Sequence, residues 1–258
     1  MVTGLQRFAD YFRGLEDQYV LIGGAACDVW LTAHGLPFRA TRDLDLVLIV
    51  EALTTGFIDR FWEFIATGNY ASLENSTDRP QFYRFKGPRR SGYPVMIELL
   101  TRNFLELPPE VHLTPIPADE DISSLSAILL DEIYYRFVVE SRVWHEGIPT
   151  IPAKCLIPLK ARAYLDLRER KAGGIPDVKE SDVKKHRNDV FRLLQTLAPA
   201  DRFTVPDLLR RDLIRFISLF PPEETDWSAI QNAVGSGLPS PSETIDLLKR
   251  TFALEDKT

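Results

Sequence analysis

Along the first 151 residues of this 258-residue chain the spacing of apolar positions switches repeatedly between the strand period of two and the helix period of 3.6, and after Ile151-Pro152 it keeps to the second. Leu5, Phe8, Ala9, Phe12 and Leu15 mark one face of an N-terminal helix, predicted to cover a sheet. Val20-Leu21-Ile22 reads as a short strand that breaks at Gly23-Gly24, and Ala25 to Leu31 as a helix after it. Leu44 and Leu46 to Val50 form a buried strand opened by Asp43-Leu44-Asp45. Phe57, Phe61, Phe64 and Ile65 return to helical spacing in a segment ending near Gly68. Gln81 to Lys86 alternates, runs into the basic turn Gly87-Pro88-Arg89-Arg90-Ser91-Gly92, and returns as Val95 to Leu100, which predicts a hairpin. Val111 to Pro117 and Ile133 to Ile151 read as further strands, the latter pair turning at Glu146-Gly147. Within it, Trp144 and His145 stand as pocket-lining side chains or, more commonly, as a cross-strand pair.

Beyond Ile151-Pro152 no strand candidate follows, so a domain boundary is placed there: residues 1–151 form an α/β domain and 152–258 a helical one, an α+β chain. The first helix of the second domain buries Leu156, Leu159, Ala163 and Leu167 and carries Lys160 and Arg168 on its flanks. Ala172 to Pro176 reads as a loop, Val183 to Leu197 as the next helix, and Leu208 to Phe220, opened by Pro206, as a third. Two short helices, Trp227 to Val234 and Ser242 to Leu254, finish the fold. The chain carries no internal repeat and no low-complexity segment.

Composition narrows the class only a little. Hydrophobic residues at 45% and charged residues at 26% are ordinary globular values. No apolar run reaches membrane-spanning length, and MVTGLQRFADYFRGL reads as an amphipathic helix with charge inside it, not as a secretion signal; a cytoplasmic protein is expected. Cys27 and Cys155 read as small core residues rather than a bridge, and the four histidines lack ligand spacing, which argues against zinc. The net charge of −6 argues against a protein that coats nucleic acid with its whole surface, but not against a local basic patch.

The chemistry gathers between Leu21 and Val50. Side chains two apart on a strand leave the same face, so Asp43 and Asp45 point into one pocket, with Leu44 on the other side. Two anions held that close repel unless a cation sits between them, and hard divalent ions such as Mg²⁺ take oxygen ligands. Gly23-Gly24 lets the backbone approach a ligand, and the helix that follows offers free N–H groups to anions. Glu98 is an acid among apolar neighbours on the return strand of the hairpin, and strands lie only ~4.8 Å apart, which makes it the candidate third carboxylate of a two-metal site.

Strand, Gly-Gly, helix and then Arg39-Ala40-Thr41-Arg42-Asp43-Leu44-Asp45 opening a second strand resemble the first motif of the polymerase-β-type nucleotidyltransferases. The Arg-x-Thr-x-Asp-Leu-Asp form is similar to their AbiEii/AbiGii toxin branch. Leu159-Lys160-Ala161-Arg162-Ala163 and Lys185-His186-Arg187-Asn188-Asp189 resemble the later motifs of that family, so the likeness covers most of Tyr19 to Leu197. It implies an N-terminal nucleotidyltransferase-type mixed sheet with flanking helices, a C-terminal helical bundle, and a nucleotide cleft between them. It also implies a nucleoside triphosphate as substrate, Mg²⁺, two ions in all, as cofactor, an RNA acceptor such as the 3′ end of tRNA, and a cognate antitoxin. Carried over by position, Asp43 and Asp45 are metal ligands, Gly23 and Gly24 hold phosphates, Arg39 and Thr41 line the same site, Lys160 neutralises phosphates, and Asp189 orients Lys160 or the acceptor. Glu98 is assigned by strand adjacency more than by motif, and a Gly-Gly-Ile-Pro loop lies between Lys160 and Asp189.

Between Lys154 and Arg192 eleven Lys and Arg stand against six Asp and Glu, a local excess of positive charge in an acidic chain. Arg84, Lys86, Arg89 and Arg90 on the hairpin, with Arg162, Arg168, Lys184, Lys185 and Arg187, are the candidate RNA contacts. Three readings stay open: transfer of a nucleotide to RNA, transfer to a protein or small molecule, and a non-catalytic nucleotide- or RNA-binding relative. His186-Arg187-Asn188-Asp189 is rejected as a protein-kinase loop, because no Asp-Phe-Gly follows. A glycosyltransferase reading of the Asp-x-Asp fits the helical C-terminal half poorly.

Overall fold

The computed structural model describes residues 2–70, 83–100, 131–174, 178–235 and 237–254. The chain divides into two compact units, Met1–Pro152 and Ala153–Thr258, and its fold is α+β.

The first unit is built on a six-stranded mixed sheet. Its elements are α1 (Leu5–Tyr11), β1 (Tyr19–Ile22), α2 (Gly23–Ala33), β2 (Asp43–Leu48), α3 (Thr55–Gly68), β3 (Tyr83–Lys86), β4 (Met96–Leu100), α4 (Glu132–Glu140), β5 (Val143–His145) and β6 (Ile148–Thr150). The spatial order is β3-β4-β2-β1-β6-β5. β2 runs antiparallel to β1 and parallel to β4, β6 runs parallel to β1, and two hairpins close the edges.

Alternation along these strands separates two faces. Tyr19, Leu44, Ile97 and Phe85 point to one, which α1 and α3 cover with a cluster of aromatic rings: Phe8 lies 4.2 Å from Phe12 and 5.4 Å from Tyr19, and Phe61 lies 5.2 Å from Phe85. Asp43, Asp45, Glu98 and Arg84 alternate with those residues and leave the opposite face. The N-terminal helix therefore covers the sheet, as its Leu5-Phe8-Phe12 stripe predicts.

One predicted strand is corrected. Ile133 to Glu140 forms not a strand but the helix α4, whose N-cap Asp131 accepts a hydrogen bond from the Ile133 amide. Tyr134, Tyr135, Phe137 and Val138 are its buried residues, which is helical spacing. The β-branched and aromatic composition favours strand locally, but burial of that stripe decides the conformation. Tyr135 anchors the helix to the end of β2: its hydroxyl accepts from the Val50 amide at 3.1 Å and donates to the Glu51 carboxylate at 2.8 Å. Only Val143 to Thr150 keeps the predicted strand pair, turning at Glu146 (φ 50°) and Gly147 (φ 80°), the left-handed pair that a two-residue hairpin loop demands. The strand expected at Val111 to Pro117 lies outside the described residues, as do Gln81 and Phe82.

The elements of the second unit among its described residues are all helices: α5 (Ala153–Ala172), α6 (Glu180–Leu194), α7 (Asp207–Ser218), α8 (Trp227–Val234) and α9 (Pro241–Phe252). α5 is the central helix, with α6 and α7 packed on it and with Leu156, Leu159, Ala163 and Leu167 buried. Phe191, Phe216, Phe220, Trp227 and Tyr164 fill the layer around it, with ring centroids 4.9 to 5.9 Å apart. A capping box of Ser240 and Glu243 starts α9. Cys27 and Cys155 are both buried. Among the described residues no helix is long and apolar enough to cross a membrane.

Candidate active site

β1 ends at Ile22, and the chain enters α2 through Gly23 in the left-handed region, at φ 69°. A Cβ at Gly23 would run into the Asp45 carboxylate. One at Gly24 would lie 2.7 Å from the Thr41 hydroxyl oxygen and 3.4 Å from an Arg39 guanidinium nitrogen. The two glycines thus let Asp45, Thr41 and Arg39 approach the backbone from the β2 side. At the same point the first turn of α2 carries neither a bond from its N-cap side chain nor an acidic residue, so these groups meet the positive end of the helix dipole. Gly23→Ala is expected to lower the melting temperature and displace Asp45, measured by thermal unfolding and divalent-cation titration. A variant matching the unsubstituted protein in both would show that the close approach has no role.

The carboxylates line up by strand register. Asp45 pairs with Ile22 on one side and, across the parallel β2–β4 ladder, with Glu98 on the other. Asp43, two residues earlier, pairs with Met96. Register partners share a face, so Asp43, Asp45 and Glu98 occupy one end of one sheet face within two adjacent strands. Asp43 and Asp45 are partly exposed, whereas Glu98 is 4% exposed. Glu98 already has a cationic neighbour: Arg84, its register partner on β3, donates from Nε to Glu98 Oε1 at 2.5 Å. Among the described residues no group of three or more His, Cys, Asp or Glu side chains is arranged to hold a metal ion.

The chemistry of the donors nonetheless fits a hard cation, since Mg²⁺ is held by one or two carboxylates together with substrate phosphates rather than by a full protein cage, and Asp43 and Asp45 share a sheet face beside the N-terminus of α2.

Lys160 and Asp189 belong to the helical unit, and both are buried, at 1% and 0% exposure of their side chains. Lys160 does not lie on a flank of α5, as its sequence position suggests; its ammonium stands 3.5 Å from Asp189 Oδ2 on α6. Asp189 is also held by Arg192 at 3.2 Å, and Arg192 donates in turn to the Ala233 carbonyl at the end of α8. The lysine stem is apolar enough to pack between helices, and the paired acid makes burial of its charge tolerable. The family resemblance has Asp189 orient either Lys160 or the acceptor; the structure sets Lys160 and Asp189 3.5 Å apart and buries both.

The basic residues expected at an RNA surface separate into two groups. Lys86, Arg89, Arg90, Arg168 and Lys184 are exposed. Arg84 is held by Glu98, Arg162 by Asp212 at 3.5 Å, and Lys184 by Glu180 at 3.6 Å. Lys185 is partly exposed. Arg187 is half-buried against the Asn188 side chain, and burial pulls its guanidinium below the usual arginine range despite the neighbouring Tyr164, Glu180 and Asp226. Trp144 is 54% exposed with the Arg142 guanidinium 4.8 Å above its ring, and His145 meets Trp30 of α2 at 4.9 Å rather than a cross-strand aromatic.

No family model matches the chain, and no curated protein matches it.

Proposed function

We propose that this chain is a Mg²⁺-dependent nucleotidyltransferase that moves a nucleotide from a nucleoside triphosphate to an RNA acceptor such as the 3′ end of tRNA, in the manner of the AbiEii/AbiGii-type toxins it resembles, with a cognate antitoxin restraining it. The observation that carries this reading is the meeting of Gly23 and Gly24 with Asp45, Thr41 and Arg39 at the N-terminus of α2. Phosphate oxygens are received there by α2 amides, the Arg39 guanidinium and the Thr41 hydroxyl, while Asp43 and Asp45 hold the cation that accompanies them. Glu98 is the third carboxylate, brought beside Asp45 by register. When bound, Mg²⁺ supplies charge stabilisation for the phosphoryl oxygens and lowers the pKa of the attacking hydroxyl. The acceptor oxygen forms a bond to the α-phosphorus, the α–β bridging bond breaks, pyrophosphate leaves, and the hydroxyl proton passes to a site carboxylate and on to solvent.

Lys160 and Asp189 enter as a pair. The 3.5 Å contact supports the orienting role of Asp189, and the phosphate contact of Lys160 requires its buried ammonium to be uncovered. A second reading, transfer to a protein side chain or a small molecule, is favoured by one observation: Arg84 and Arg162 are engaged by buried carboxylates, which thins the basic surface. A non-catalytic relative fits less well, because Asp43, Asp45 and both glycines are present.

Incubation with Mg²⁺, each labelled nucleoside triphosphate and total cellular RNA separates these readings. Label is expected on RNA, with labelling reduced by Arg89→Glu combined with Arg90→Glu and falling steeply as salt rises, since phosphate contacts release counterions. Label on a protein, insensitive to salt and to those reversals, would replace the first reading with the second.

A further inference from the structure

Arg84 and Glu98 form an ion pair whose side chains are only 10% and 5% exposed. Their placement distinguishes this pair from Lys160–Asp189. Along one level of the sheet face run Arg84, Glu98, Asp45 and Ile22, in that strand order, and one step toward the strand ends run Lys86, Met96 and Asp43. A buried salt bridge is seldom the most stabilising choice for such a position, since a well-packed apolar cross-strand pair serves as well or better. Three carboxylates on one face within two strands do, however, require positive charge beside them. A guanidinium on the third strand supplies it permanently from within the chain.

We propose, on the basis of the nucleotidyl-transfer reading above, that Arg84 is a positioning residue that holds Glu98 out of the cation site until nucleotide arrives. With Glu98 neutralised by Arg84, Asp43 and Asp45 alone face a free divalent cation, so such a cation binds weakly. Glu98 joins them only when its ion pair opens, and the triphosphate provides the anionic oxygens to which the Arg84 guanidinium then turns. Cation and nucleotide consequently bind together rather than one after the other.

The test is Mn²⁺ titration of the full chain by calorimetry without nucleotide, in the unsubstituted protein, in Arg84→Gln, in Arg84→Gln with Glu98→Gln, and in Asp45→Asn. Arg84→Gln is expected to tighten Mn²⁺ binding by roughly tenfold or more, the scale on which one neighbouring charge acts, and the gain is expected to vanish when Glu98→Gln is added. A purely structural role for Arg84 predicts no gain, so unchanged or weakened affinity overturns the proposal. Should Arg84→Gln fail to fold, Arg84→Met removes the charge while keeping a long apolar stem; it is expected to show the same gain, and no gain would overturn the proposal equally. Asp45→Asn separates the two levels of the argument. If it leaves Mn²⁺ binding intact, the carboxylate site itself is refuted; if it abolishes binding while Arg84→Gln changes nothing, only the role of Arg84 is.

Discussion

Asp45→Asn is expected to abolish nucleotidyl transfer, with a loss of roughly a thousandfold or more in rate, and Asp43→Asn to do the same. An amide keeps the shape of the carboxylate and one oxygen, but it lacks the charge that binds a hard cation, and such a cation contributes several kcal/mol to stabilising the charge that develops on the transferring phosphoryl group, each 1.36 kcal/mol being tenfold in rate. The fold is expected to survive. Asp45 shares its sheet face with Asp43 and Glu98, so removing one negative charge relieves repulsion, and the melting temperature without Mg²⁺ is expected to stay constant or rise. Wild-type turnover in excess chelator, or full activity in Asp45→Asn, would end the metal-dependent reading. A large drop in melting temperature accompanying lost activity would instead make Asp45 a structural residue that seats against Gly23.

Lys160→Ala is expected to destabilise the helical unit by about 3–5 kcal/mol, the range for removing one partner of a buried ion pair, and toward the lower end because Asp189 retains Arg192 at 3.2 Å. Urea unfolding followed by far-ultraviolet circular dichroism measures it. Lys160→Met combined with Asp189→Asn is expected to recover most of the loss, since the methionine fills the lysine channel and the asparagine still offers Arg192 an oxygen. That pair of substitutions also isolates the functional question. If the recovered protein binds nucleotide like the unsubstituted one, the charge of Lys160 serves the fold alone. If nucleotide affinity falls while stability is restored, the ammonium reaches phosphate as the motif resemblance implies.

Local pattern determined a good deal of this protein. The strand–Gly-Gly–helix turn, the Asp-x-Asp strand, the hairpin ending at Leu100 and the change of period near Ile151 were legible because each depends on side-chain spacing within a dozen residues. So was the shared face of Asp43 and Asp45, which follows from the two-residue repeat of any strand. The tertiary structure alone decided what those residues meet. Periodicity identifies Glu98 as a strand residue, but only the parallel β2–β4 register sets it beside Asp45, and only the β3–β4 register gives it Arg84 as a counter-ion. Ile133 to Glu140 has the composition of a strand, and burial of Tyr134, Tyr135, Phe137 and Val138 made it a helix. Lys160 reads as a solvated flank because lysines mostly are; its burial depends on Asp189, 29 positions away and on another helix. In each case conformation followed from neighbours along the chain, whereas charge state and accessibility followed from partners across space, since the cost of burying a charge is set by what lies opposite it.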